Sequence, residues 1–141
     1  MWLIFAIIAA ILWGMNYALT ERVIKSISPA TLLALEMLAG AIIFSAISFF
    51  TSWKKDLTLL YTDTHLLWLT VAEIVVVVIA SFFIVSSINF KNATLAGIIE
   101  LIYPLFIILF TWLFFGENHV NFSVIIGGIL IFIGVLIISF N

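Results

Sequence analysis

Glu36, Glu73 and Glu100 stand in LALEMLAGAIIF, LTVAEIVVVVIA and LAGIIELIYPLF, three stretches that are otherwise apolar enough to cross a membrane. A carboxylate at mid-bilayer costs about 2.5–3.5 kcal/mol on insertion scales, so it faces a partner, a cavity or a path rather than lipid. Three of the seven acidic residues occupy that costly position. The chemistry a carboxyl offers there is pairing with a cation and the uptake and release of a proton. Glu100 has the richest surroundings. Pro104 cannot donate to the carbonyl four residues back, which is that of Glu100, and its ring crowds that carbonyl. Tyr103 lies three residues from Glu100, a spacing that puts both side chains on one helical face. A bend at Pro104, a freed carbonyl, a carboxyl and a phenol are therefore expected at one level, and bent or broken helices form polar sites in transporters.

Glu36 and Glu73 are candidates by position alone. Glu36 lies about 7 Å along its helix from Thr31, and Glu73 about 10 Å from Leu66, at 1.5 Å per residue. Trp13 and Asn16 in the first apolar segment are further candidates for a polar cavity, whereas Tyr17 reads as an interfacial aromatic anchor. His65 and His119 fall in predicted connections and read as solvated. No HExxH, phosphate loop or Ser/His/Asp order is present, and no Asp/Glu/His set has ligand spacing. The expectation is a protein that is not an enzyme and has no catalytic residues, metal site or cofactor. Cysteine is absent, which excludes disulfides and thiolate sites. Five Lys+Arg and a net charge of −2 give no basic patch, so no nucleic-acid partner is expected.

The elements that must hold these groups are membrane helices. Only 9% of the 141 residues are charged and 66% are hydrophobic, against about 25% charged in average proteins. Five segments approach the roughly 20 residues needed to cross the hydrocarbon: about 2–19, 31–50, 66–87, 93–115 and 122–140. Their runs are continuous rather than alternating, which favours helices over barrel strands. The first lacks a basic n-region, so it reads as a span rather than a cleaved signal. Pro29 suits the first turn of the second helix, and Asn92 or Thr94 can cap the fourth. SWKKDLTLLYTDTH is the longest connection, with room for a short interfacial helix. No linker divides the chain, so one transmembrane domain over 1–141 is expected.

An odd number of spans places the termini on opposite sides of the membrane. One side then holds Arg22, Lys25 and Lys91, and the other holds Lys54 and Lys55. Three against two gives almost no positive-inside bias. Two readings follow: weak or partner-set orientation, and dual topology with antiparallel pairing. Small residues recur as Ala6, Ala10, Gly14 and Ala18 in the first segment, and as Ser123, Gly127 and Gly134 in the fifth. Such faces let helix backbones approach closely and read as packing surfaces, within one subunit or between two.

WGMNYALTERVI, SPATLLALEMLAGAIIF, INFKNATLAGIIELIYPLFIILFTWLFFGE and GGILIFIGVLI together resemble the EamA-like family of the drug/metabolite transporter superfamily. The resemblance runs over essentially the whole chain. It implies an all-α membrane protein of five transmembrane helices, one EamA-type repeat, where family members usually have two inverted repeats and ten spans. It therefore implies an antiparallel homodimer that rebuilds a ten-helix bundle, with carboxyls entering one central region from both directions; a parallel dimer and a hetero-pair with a related chain are the other arrangements. The implied function is secondary transport of a small polar or amphipathic metabolite or drug by alternating access, with a proton as candidate coupling ion. The implied setting is a multi-pass protein of a prokaryotic inner membrane, with the lipid bilayer and a small-molecule substrate as partners. Glu117 in FFGE matches the family's helix-end motif and reads as structural. The family often has a basic residue where Glu36 stands, so the preferences of those members do not carry over. A small-multidrug-resistance-like proton antiporter and a non-transporting assembly or regulatory subunit are the alternatives. The former has four spans and a glutamate in its first helix, which here offers Asn16 instead.

Overall fold

The computed structural model describes residues 1–118 and 120–140. His119 lies outside the described residues. The described residues form helices and no strands. In chain order these are α1 (Trp2–Val23), α2 (Pro29–Thr51), α3 (Trp53–Thr62), α4 (Thr64–Phe90), α5 (Ala93–Glu100), α6 (Tyr103–Phe115) and α7 (Phe122–Ser139). Among the described residues, five stretches are long and apolar enough to cross a membrane: α1, α2, α4, α7, and α5 and α6 taken together over Ala93–Phe115. The all-α architecture with five spans is thus as the sequence predicts.

Local chemistry sets the boundaries. Ser28 caps α2 by accepting from the Thr31 N–H at 3.1 Å, and Pro29 opens the helix. Proline fits there because a first-turn N–H has no intrahelical acceptor anyway. Asn92 rather than Thr94 caps α5, accepting from the Leu95 N–H at 2.8 Å, and Asn121 caps α7 through the Val124 N–H at 2.9 Å. Gly116 ends α6 at φ +68°, a left-handed conformation that glycine adopts without a Cβ penalty.

Two helices outrun their apolar stretches. α1 continues through Thr20, Glu21 and Arg22 to Val23, and α4 begins two residues earlier and ends three residues later than its hydropathy indicates. Backbone hydrogen bonding does not stop where hydrophobicity does. At 1.5 Å per residue the 27 residues of α4 extend about 40 Å, more than a hydrocarbon core of about 30 Å, so the helix tilts or emerges into the headgroups. His65 consequently stands exposed in the first turn of α4, not in a connection.

The chain divides into two units, Met1–Leu19 with Phe90–Asn141, and Thr20–Asn89. In the first, α5 packs on α7, and the buried residues are Ala93 and Ala96 of α5 and Val135 of α7. In the second, α3 packs on α2, and the buried residues are Thr20, Ile24, Val85 and Ile88. The close contacts to glycine in the first unit fall at positions other than those of the sequence stripes. A Cβ on Gly128 would stand 2.8 Å from Leu105 Cδ2, whereas Cβ atoms on Gly14, Gly127 or Gly134 would meet nothing within 4 Å. The glycines of the stripes thus have no neighbouring side chain against them, and Gly128 makes room for Leu105 of α6.

Candidate functional site

The fourth span is interrupted near its middle. α5 closes at Glu100 and α6 opens at Tyr103. Between them Leu101 and Ile102 form a tight turn, with Leu101 N–H donating to Ile98 O at 3.1 Å and Ile102 N–H to Ile99 O at 3.2 Å. Such three-residue bonds are those of a 3₁₀ turn. Pro104 follows in the first turn of α6, where it has no N–H to offer the Glu100 carbonyl.

At this break the Tyr17 hydroxyl of α1 donates to Glu100 Oε2. Both residues are half-buried and both belong to the first unit. Tyr17, which the sequence marks as an aromatic anchor, is therefore also the hydrogen-bond partner of Glu100. Two features hold its ring. Trp13, one helical turn earlier, meets it edge-on with centroids 5.8 Å apart at 69°. Gly97 of α5 lies so close that a Cβ there would stand 3.2 Å from Tyr17 Cδ2 and 3.5 Å from Cε2. The missing side chain at 97 is what lets the ring lie against α5, three residues before the carboxyl it bonds.

The other predicted residues are placed as follows. Tyr103 opens α6 and is 52% exposed; the phenol bonded to Glu100 is that of Tyr17. Trp13 is 60% exposed beyond its edge contact, and Asn16 is half-buried on α1. Glu36 on α2 and Glu73 on α4 belong to the second unit, where both are exposed and neither has a hydrogen-bond or ion-pair partner among the described residues. An apolar crevice between α6 and α7, lined by Leu105, Ile108, Val124 and Gly128, contains no titratable group. No group of three metal-binding side chains occurs among the described residues.

The arrangement can do two things. The carboxylate can accept the phenol proton in a hydrogen bond or exchange that partner for a cationic group of a solute. The aromatic rings of Trp13 and Tyr17 offer faces to such a cation. Sequence reasoning missed Tyr17 because its partner is 83 residues away. The one local signal is the four-residue spacing of Trp13 and Tyr17, which puts both on one face of α1.

The model of the EamA-like transporter family matches residues 1–140. The chain belongs to this family. An EamA-like transporter is an integral, multi-pass membrane protein in contact with the lipid bilayer, and the family comprises drug/metabolite-type transporters rather than enzymes. Comparisons with curated proteins and with solved structures returned no match. In this EamA-like protein the polar pair sits at the helix break, where bound solutes meet unwound backbone in other carriers built from interrupted spans.

Crowding at Gly97 gives a direct test of the pair. Gly97→Val adds branched carbon where the Tyr17 ring lies, and overpacking of this kind costs about 1–3 kcal/mol. The thermal midpoint in detergent should fall, with Gly97→Ala intermediate. A Gly97→Val protein that melts as the parent does would show that the ring is not held against α5.

Proposed function

We propose that this EamA-like protein is a secondary carrier for a small polar or amphipathic metabolite or drug, with Glu100 as its solute-binding and proton-exchanging carboxyl. The observation that carries the reading is the Tyr17–Glu100 hydrogen bond at the break between α5 and α6. An acid inside a membrane span needs a reason to be there. This one is paired with a neutral donor rather than with a fixed cation, so it keeps its charge for a solute. A cationic or zwitterionic amine displaces the phenol from the carboxylate. A proton arriving at the carboxyl cancels the attraction and releases the amine. Tyr17 then bonds the protonated, neutral carboxyl during the return step, and the proton leaves on the side where the next amine binds.

Five spans make one EamA-type repeat, and two copies in opposite orientation supply the ten helices and the two-sided access that alternating access requires. The near-balance of Lys and Arg across the two sides supports this pairing, as do the stripe glycines with no neighbouring side chain against them. Glu36 and Glu73, exposed in the single chain, join the solute path in that assembly, with Asn16, Trp13 and Tyr103 as further lining residues. A prokaryotic inner membrane is the expected location.

The experiment is uptake into proteoliposomes without ATP, across amines, amino acids and sugars, with internal pH recorded. Amine-dependent proton efflux is the expected result, and a complete absence of solute flux across that set would count against a carrier. A C-terminal reporter readable on either side of the membrane tests the pairing. Signal confined to one side would remove the inverted homodimer.

A further inference from the structure

α3 carries charges that its own helix does not favour. It is ten residues long, about 15 Å at 1.5 Å per residue, and too short to span a bilayer. It joins two spans, α2 and α4, through abrupt breaks. The Ser52 N–H donates to Ser48 O at 2.9 Å to close α2, and Asp63 caps α4 by accepting from the Leu66 N–H at 3.0 Å. A short helix at the ends of two spans belongs at the membrane surface. Trp53, Leu57 and Leu60 recur at intervals of four and three and form one apolar face, with Leu57 and Leu60 the least exposed side chains of α3. Lys54, Thr58, Thr62 and Lys55 occupy the opposite arc and are exposed. Tyr61, 85% exposed, stands at the border of the two faces, the position of an aromatic at headgroup level.

Both lysines lie in the first turn, the positive end of the helix dipole, where acids are stabilising and cations are not. The acid of that turn, Asp56, accepts from the Ser52 hydroxyl. Neither lysine side chain has a partner among the described residues. Two adjacent unpaired cations beside an apolar face are complementary to an anionic surface.

We propose that α3 binds the anionic phospholipid headgroups of the bilayer through Lys54 and Lys55, with Trp53, Leu57 and Leu60 turned toward the hydrocarbon and Thr58 and Thr62 toward water. This is the arrangement of interfacial amphipathic helices. It stands independently of the solute chemistry at Glu100. One lysine near an anionic surface is worth about fivefold in affinity, and the pair about 30-fold.

The test uses the full-length protein. Native mass spectrometry of detergent-solubilised protein should show phosphatidylglycerol retained in preference to phosphatidylcholine. K54Q/K55Q should lower that preference by about 30-fold, while K25Q leaves it intact. An unchanged preference in K54Q/K55Q would overturn the proposal. So would displacement of the lipid by inorganic phosphate, which would assign a free-anion site instead. Because the chain has no cysteine, a second measurement needs no background removal. Spin labels at T58C and L60C in phosphatidylglycerol vesicles should report water and hydrocarbon respectively. Equal aqueous exposure at both sites would also overturn it.

Discussion

Glu100→Gln should lower solute flux by about fivefold or more and flatten its dependence on pH, while leaving the protein folded. Glutamine keeps the shape of the side chain and an oxygen that still accepts the Tyr17 phenol proton, so the contact between α1 and α5 survives. What is lost is the charge. Hydrogen bonds to an ionised group are roughly twice as strong as neutral ones, and neutral ones contribute about 1 kcal/mol net. A cationic solute would lose at least that difference, and about 1 kcal/mol is about fivefold in an equilibrium. The proton-exchanging group is lost as well, so flux should no longer respond to a pH gradient. The same substitution at Glu36 and Glu73 provides the contrast. Equal losses at all three positions would mean that the membrane acids act together and that the Tyr17 pair is not special. Full flux with an unchanged pH profile in Glu100→Gln would remove Glu100 from the mechanism.

Pro104→Ala should stabilise the protein and slow it. Pro104 stands in the first turn of α6, where proline is tolerated, but a helix running on from Glu100 would lack the residue-104 N–H and meet the clash with the carbonyl four residues back. Residues on both sides of the break are helical. Restoring the N–H lets residue 104 bond the Glu100 carbonyl and favours one continuous helix from Ala93 to Phe115. Continuity would re-aim α5 relative to α6 and move the Glu100 carboxyl against the Tyr17 hydroxyl, which is fixed on α1. The thermal midpoint should therefore rise as flux falls. That combination separates a functional break from a structural flaw, since a flaw once repaired would leave flux unchanged or higher. Spin labels at residues 96 and 108 should also move apart as the turn at Leu101–Ile102 straightens.

Much of the fold was legible because membrane helices announce themselves locally. A bilayer core demands about 20 apolar residues per crossing, and five such runs are visible without any knowledge of packing. One cap was legible for the same reason. Asn92, one of the two candidates for the fourth span, acts on an N–H only three residues away, as do Ser28 and Asn121, which the structure added. The short helix in the longest connection was visible as an opportunity, and the structure turned it into α3. Helix ends were less legible, because α1 and α4 continue past their apolar stretches for as long as backbone bonds can form.

The amino-acid sequence by itself determined that five apolar spans of the EamA-like type are present, that Glu100 lies inside one of them, and that Pro104 follows it by four residues. Each of these depends on residues within about a turn of one another, where covalent geometry sets the distances. Only the tertiary structure decided that the hydroxyl on Glu100 belongs to Tyr17 of α1, 83 residues away. It also decided that Tyr17 and Leu105 lie against Gly97 and Gly128, and not against the glycines of the small-residue stripes. Neither choice is encoded in spacing along one helix. It depends on which faces of α1, α5, α6 and α7 meet, and in lipid that is settled by shape and a few polar contacts rather than by a hydrophobic pattern readable in one dimension.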